Sequence, residues 1–152
     1  MNVDFVTAVK MFFINYVNFK GRSTRAEYWW AMLFYVIVSS IPFVSYIAML
    51  ACLLPMLAIN TRRLHDTGRS GWWLVGFFVI SLVLGGWMVS AMLPYLQMAG
   101  STNFDLTHIT SMLKDAAAPF FINMILSIAW IVLMCLPSGP DNKYGPNPYG
   151  EN

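Results

Sequence analysis

The chain has 152 residues, of which 58% are apolar, 16% aromatic and only 11% charged. A soluble domain of this size needs about 25% charged residues to cover itself, so the composition excludes a water-facing exterior over much of the molecule and points to lipid. The net charge of +2 is too small, and the nine basic residues are too scattered, for a nucleic-acid-binding stripe; no nucleic acid partner is expected.

Residues 1–20 read as an amphipathic helix at the membrane interface. At about 100° per residue, Asp4, Thr7, Lys10, Asn15 and Asn18 fall on one arc, with Phe5, Val9, Phe12, Phe13 and Tyr16 opposite. Packing of that apolar face on the cytoplasmic ends of other helices is the competing reading. The N-terminus lacks the features of a secretory signal, so Met1 is expected to begin the mature protein.

The next apolar stretch, Tyr28 to Ile59, covers 32 residues, too many for one crossing that needs roughly 20. A fold-back near Pro42 to Tyr46 divides it, because proline removes a backbone donor. The T-x-x-E spacing of Thr24 and Glu27 is a capping-box signal and starts the first crossing at about 24–43, with the second at about 44–63. A loop at 64–71 leads to a third at about 72–97. An external loop at 98–118 follows, carrying Leu106, Ile109, Leu113 and Ala116 at the spacing of a short surface helix, with His108 solvated. The fourth crossing, about 119–136, has Pro119 in its first turn and is stopped by Pro137-Ser138-Gly139-Pro140, ahead of a tail at 137–152.

Orientation follows from the cations. Lys10, Lys20, Arg22, Arg25, Arg62, Arg63, Arg69 and Lys143 fall on one side of this arrangement, and only Lys114 on the other. The positive-inside bias then puts both termini in the cytoplasm of a bacterium. The expected fold is an all-α integral membrane protein, a four-transmembrane-helix bundle with an N-terminal amphipathic interfacial helix. A three-crossing alternative would separate the Arg22 and Arg62 groups. Cys52 and Cys135 lie in apolar runs as small hydrophobes, with no disulfide expected. With His65 and His108 they show no metal-ligand spacing, so neither metal nor cofactor is expected.

Three segments meet at the cytoplasmic face: Phe19 to Trp30, Arg62 to Trp73 and Asn142 to Pro148. Their G-R-x-x-R-x-E-Y-W-W, R-R-L-H-D-x-G-R-S-G-W-W and N-K-Y-G-P-N-P patterns resemble the domain of unknown function 805 family, the YhaH-like bacterial inner membrane proteins. The resemblance implies a small multi-pass inner membrane protein without an established activity. Against the shorter members of that family the chain carries an extra segment, about Val89 to Ala118.

The residues themselves suggest a polar cluster of Arg22, Arg25, Glu27, Arg62, Arg63, His65, Asp66, Arg69 and Lys143. Trp29, Trp30, Trp72 and Trp73 form an interfacial belt around it. Glu27, at the start of the first crossing, needs a partner, and Arg62 or Arg63 is the natural one. Arg62 and Asp66 are four apart and His65 shares their turn. The plain reading is a set of ion pairs that organises the bundle; a ligand or proton-handling site is the alternative. Adjacent His65 and Asp66 point about 100° apart, and no nucleophile, phosphate loop or paired-carboxylate motif accompanies them, so no enzyme is expected. Gly21-Arg22-Ser23 ahead of Trp29-Trp30 is matched by Gly68-Arg69-Ser70 ahead of Trp72-Trp73. Two parallel repeats are one explanation, and the ordinary basic start of an outward-going helix is the other.

Two functions compete. One is a non-catalytic inner membrane protein whose cytoplasmic face, set in the lipid bilayer, binds an anionic phospholipid headgroup or a protein partner. The other is a small transporter or channel component acting as a homo-oligomer. At mid-membrane depth the sequence offers only Ser39, Ser40, Ser81, Ser90, Asn123 and Ser127, without charge, which favours the first.

Overall fold

The computed structural model describes residues 3–98 and 105–148. Five helices follow one another: α1 (Phe5–Ile14), α2 (Arg25–Ser39), α3 (Val44–Asp66), α4 (Trp72–Met98) and α5 (Leu106–Cys135). Among the described residues there is no strand beyond an isolated bridge between Asn142 and Gly145. The chain divides into two compact units, residues 1–74 with 134–152, and residues 75–133.

In the first unit α1 packs on α2 and α3. It is shorter than the expected 1–20 helix, because Asn15 closes it by returning both its backbone N–H and its side-chain amide to the Met11 carbonyl. Ala8 and Phe12 are buried, with Phe12 against Phe34 and Phe5 edge-on to Trp30, whereas Phe13, placed on the same face by periodicity, is half exposed. Val6, Ile14 and Val17 are exposed too, so the division into polar and apolar arcs is not clean.

Helix α2 starts where Thr24 accepts the Glu27 backbone N–H at 3.2 Å, a cap worth about 1 kcal/mol. It ends at Ser39, short of the expected residue 43, since Pro42 disfavours the helical conformation at Ile41. The reversal is a γ-turn: Val44 N–H donates to the Pro42 carbonyl at 2.8 Å across Phe43, whose φ is +66°. At about 1.5 Å per residue, α2 is near 22 Å long, less than a hydrocarbon core of roughly 30 Å. Three helices, α3, α4 and α5, are long and apolar enough to cross a membrane.

Helix α3 packs on α2, and both bury small residues, Ala31 on α2 and Ala48, Cys52 and Ala58 on α3. Pro55 lies inside it and offers no N–H to the Ala51 carbonyl four residues earlier. Tyr16, just beyond α1, donates its hydroxyl to that carbonyl at 2.5 Å. The helix continues through Asp66, three residues past its expected end, so Leu64, His65 and Asp66 belong to its last turn rather than to a loop. There Gly68, at φ +77°, donates to His65 O and Arg69 N–H donates to Leu64 O, which satisfies the terminal carbonyls in a Schellman arrangement.

In the second unit α4 and α5 pair antiparallel, with Phe77 on Trp130 at 4.4 Å between ring centroids and the Tyr95 hydroxyl donating to Asp115 at 2.5 Å. The expected external loop and short surface helix at 98–118 are replaced, from residue 106 on, by the first turns of α5, and Pro119 sits within that helix rather than at its start. Residues 99–104 of that expected loop lie outside the described residues. The competing start signal is Asp105, whose carboxylate accepts the Thr107 and His108 backbone N–H groups as well as their side chains. Those bonds, the Thr107 hydroxyl first, hold the Asp105 carboxyl down at about 2, and they engage His108 where a solvated ring was expected.

Candidate functional site

The Asp66 carboxylate is wholly buried at the end of α3 and accepts from three sides. Arg22 Nε donates to Oδ1 at 2.9 Å, while Arg63 Nη1 and, at 2.5 Å, the Ser138 hydroxyl donate to Oδ2. The i,i+4 spacing of Arg62 and Asp66 is not the pair that forms; the partner on the helix is Arg63, three residues back.

Arg22 reaches that carboxylate from the turn before α2, and its guanidinium is held in a cage. A guanidinium carries five N–H donors in a fixed plane. Besides Asp66 Oδ1 they meet the carbonyls of Pro140 at 2.8 Å, Gly145 at 3.1 Å, Asp66 at 3.1 Å and Gly139 at 2.6 Å. Residues 139–145 therefore wrap over the end of α3, and Gly139 N–H donates back to the Asp66 carbonyl at 2.9 Å. Arg63, fully buried, donates in addition to the carbonyls of Met134 and Leu136 at the close of α5.

A second pair lies beside the first. Arg62 Nη2 donates to Glu27 Oε1 at 3.1 Å, both side chains about 95% buried. Ser23 links them, since its hydroxyl receives Arg62 Nε at 2.8 Å and donates to Glu27 Oε1 at 3.0 Å. Arg62 Nη1 donates to the carbonyls of Asn15 and Asn18, which fixes the segment after α1 to the same point. Glu27 was expected on Arg62 or Arg63, and the structure pairs it with Arg62. Three buried guanidinium groups thus face two carboxylates, and eight main-chain carbonyls and the Ser23 hydroxyl supply further acceptors. Breaking either pair would leave a charge that costs about 3–5 kcal/mol.

The other expected members stand apart. His65 turns away from Asp66: its ring stacks on Tyr144 at 3.7 Å and 4°, and Nδ1 lies 3.2 Å from the Gly21 carbonyl. Asn142 Nδ2 donates to the His65 carbonyl, and Lys143 Nζ lies over the Tyr144 ring at 5.0 Å. Among the described residues the side chains of Arg25 and Arg69 make no ion pair. Trp29, Trp30, Trp72 and Trp73 are all more than a third exposed. Among the described residues no three His, Cys, Asp or Glu side chains converge to hold a metal. Ser138 donates to Asp66, while the His65 ring faces Tyr144 and the Gly21 carbonyl.

Sequence reasoning missed Ser23, Ser138 and the carbonyls of Gly139, Pro140 and Gly145. The only local signal was Ser138-Gly139-Pro140, which was read as a helix stop alone.

Known proteins are similar to this chain. The profile of the family described as "Protein of unknown function (DUF805)" matches residues 16–46 and 40–150. Inner membrane protein YhaI of Escherichia coli strain K12 is 44% identical over 87 residues, covering 49% of this chain and 71% of that protein. Inner membrane protein YhaH of the same strain is 33% identical over 91 residues, covering 49% of this chain and 73% of that protein. No solved structure matches. With its all-helical build and three membrane-length helices, the chain belongs to the DUF805 family of membrane proteins.

Proposed function

We propose that the chain crosses the bacterial inner membrane four times with both termini in the cytoplasm, and acts there as a non-catalytic protein. Its buried Arg-Glu-Asp cluster organises the helix ends, and its remaining cations hold anionic phospholipid headgroups. Four crossings place eight of the nine basic residues on one side. Helix α2 reaches across because the apolar, exposed Ile41 and Phe43 extend its path, and local thinning of the bilayer offsets the rest.

The observation that carries the lipid reading is the allocation of acids. Glu27 is taken by Arg62, and Asp66 by Arg22 and Arg63, so Arg25, Arg69 and Lys143 have no carboxylate partner among the described residues. Arg22, Arg62 and Arg63, expected with Arg25, Arg69 and Lys143 among the headgroup ligands, leave that set because their donors are turned inward. Each remaining cation near anionic lipid is attracted by about 1 kcal/mol. The serine hydroxyls that a transport path would need are in part engaged locally, Ser40 with the Val36 carbonyl and Ser90 with the Trp87 carbonyl.

Single cysteines at Asn103 and Asn147 should be labelled from opposite sides of the membrane, and labelling from one side would refute the topology. For function, native mass spectrometry should find anionic phospholipid on the parent protein and little on R25Q/R69Q/K143Q. Retention of an acidic polypeptide instead of lipid would transfer the role to a protein partner.

A further inference from the structure

An open groove of about 620 Å³ runs along one face of α2, lined by Arg25, Ala26, Trp29, Trp30 and Leu33, with Cys135 of α5 also lining it. Its volume is that of a ligand-sized cleft, which is typically about 300–1,000 Å³. The lining is graded along the helix. Arg25, in the first turn, supplies a cation at one end, and Leu33, two turns further on, is apolar and half exposed. Between them stand two indoles held in place by edge-on ring contacts, Trp29 against Tyr28 at 5.3 Å and Trp30 against Phe5 at 5.8 Å. Among the described residues neither indole N–H has an acceptor. The groove thus offers a guanidinium fork at one end, two indoles along its length and a hydrocarbon wall beyond. A phospholipid has the same sequence of groups.

We propose that this groove is a binding site for one anionic phospholipid, its phosphodiester on Arg25 and the start of an acyl chain along Trp29, Trp30 and Leu33. The proposal rests on the reading that the α2 start lies at the inner membrane surface. Charge selects the occupant. The two acids of the cluster, Glu27 and Asp66, face other arginines, and among the described residues Arg25 makes no ion pair. A head that is anionic overall supplies one. A zwitterionic head brings an ammonium group that the same cation repels. Arginine grips a phosphate through two parallel bonds where lysine acts as a point charge, so the site depends on the fork as well as on the charge.

The test uses the purified full chain in mild detergent, equilibrated with equal amounts of phosphatidylglycerol and phosphatidylethanolamine and read by native mass spectrometry. The parent should retain one phosphatidylglycerol in preference to phosphatidylethanolamine. R25Q should lower that retention at least tenfold and R25K by less, and L33W, which fills the apolar end without altering charge, should lower it as much as R25Q. R69Q, at a cation outside the groove, should lower it less than R25Q does. Arg25 and Leu33 are exposed, so R25Q, R25K and L33W should melt with the parent. Equal losses in R25Q and R69Q, with L33W unaffected, would overturn the groove while leaving the headgroup reading of the whole face intact. No preference for phosphatidylglycerol in the parent would overturn both.

Discussion

Two turns of this molecule begin with the same three residues and come to opposite ends. Gly21-Arg22-Ser23 and Gly68-Arg69-Ser70 each open with a glycine of positive φ, +83° and +77°, and each precedes a tryptophan pair. Arg22 is nearly buried and all five of its N–H groups find oxygen. Arg69 uses its backbone N–H to finish α3, and among the described residues its guanidinium meets no carboxylate. The local sequence is therefore not what makes a buried arginine tolerable. Acceptors brought from residues 139–145 do so for one turn and are absent from the other.

The comparison breaks most severely at the shared carboxylate. D66N leaves Arg22 and Arg63 facing a neutral amide, and thermal unfolding in detergent should show a loss of about 3–5 kcal/mol. An unchanged melt would mean that the carbonyls alone sustain both cations. Lysine exchange sharpens the contrast between the turns: R22K keeps the charge but has three donors for five acceptors and should cost about 2–3 kcal/mol, whereas R69K should stay within about 0.5 kcal/mol. The glycines should behave alike despite the arginines. G21A and G68A each force a Cβ into a left-handed conformation, so each should cost about 1 kcal/mol in the same assay. A clear inequality would show that one glycine does more than turn the chain.

The smallest effect concerns an acid of the second unit. Asp105 is exposed, and its carboxyl is lowered from 3.8 to about 2 by bonds that exist only when the start of α5 is folded. A depressed carboxylate contributes stability above its unfolded value and loses it as pH falls towards the folded one. The protection of the Thr107 and His108 amides, taken against the intrinsic exchange rate at each pH, should thus fall between about pH 4 and pH 2 and stay constant above that range, and D105N should abolish the dependence.

What the sequence made legible was local or compositional. The helical, membrane-type composition and the three terminal motifs point to the family, and the Thr24 cap is a four-residue signal. Periodicity placed apolar residues at Leu106, Ile109 and Leu113, yet the junction with the next helix was misjudged. Proline at a first helical turn was weighed without the stronger cap at Asp105. Glu27 was expected on an arginine of α3 because antiparallel neighbours bring start and end together. The choice of Arg62 over Arg63 depends on the rotation of α3, and the cage around Arg22 on carbonyls that any residue type could present. Main-chain oxygens leave no mark in a sequence. Nor does the Ala51 carbonyl freed by Pro55, although the proline itself was in view.

The cage also has an order in time. Residues 138–145 leave the ribosome after every helix, so while α3 is already made Arg22 has only the two oxygens of Asp66, and Asp66 lacks Ser138 and the Gly139 amide. Until that stretch is synthesised the end of α3 presents charged groups whose partners do not yet exist, on the side where water can still solvate them. The tail then closes over a finished set of helices as a clasp does. A nascent chain arrested before Ser138 would carry α1 to α5 and still display an open cationic patch.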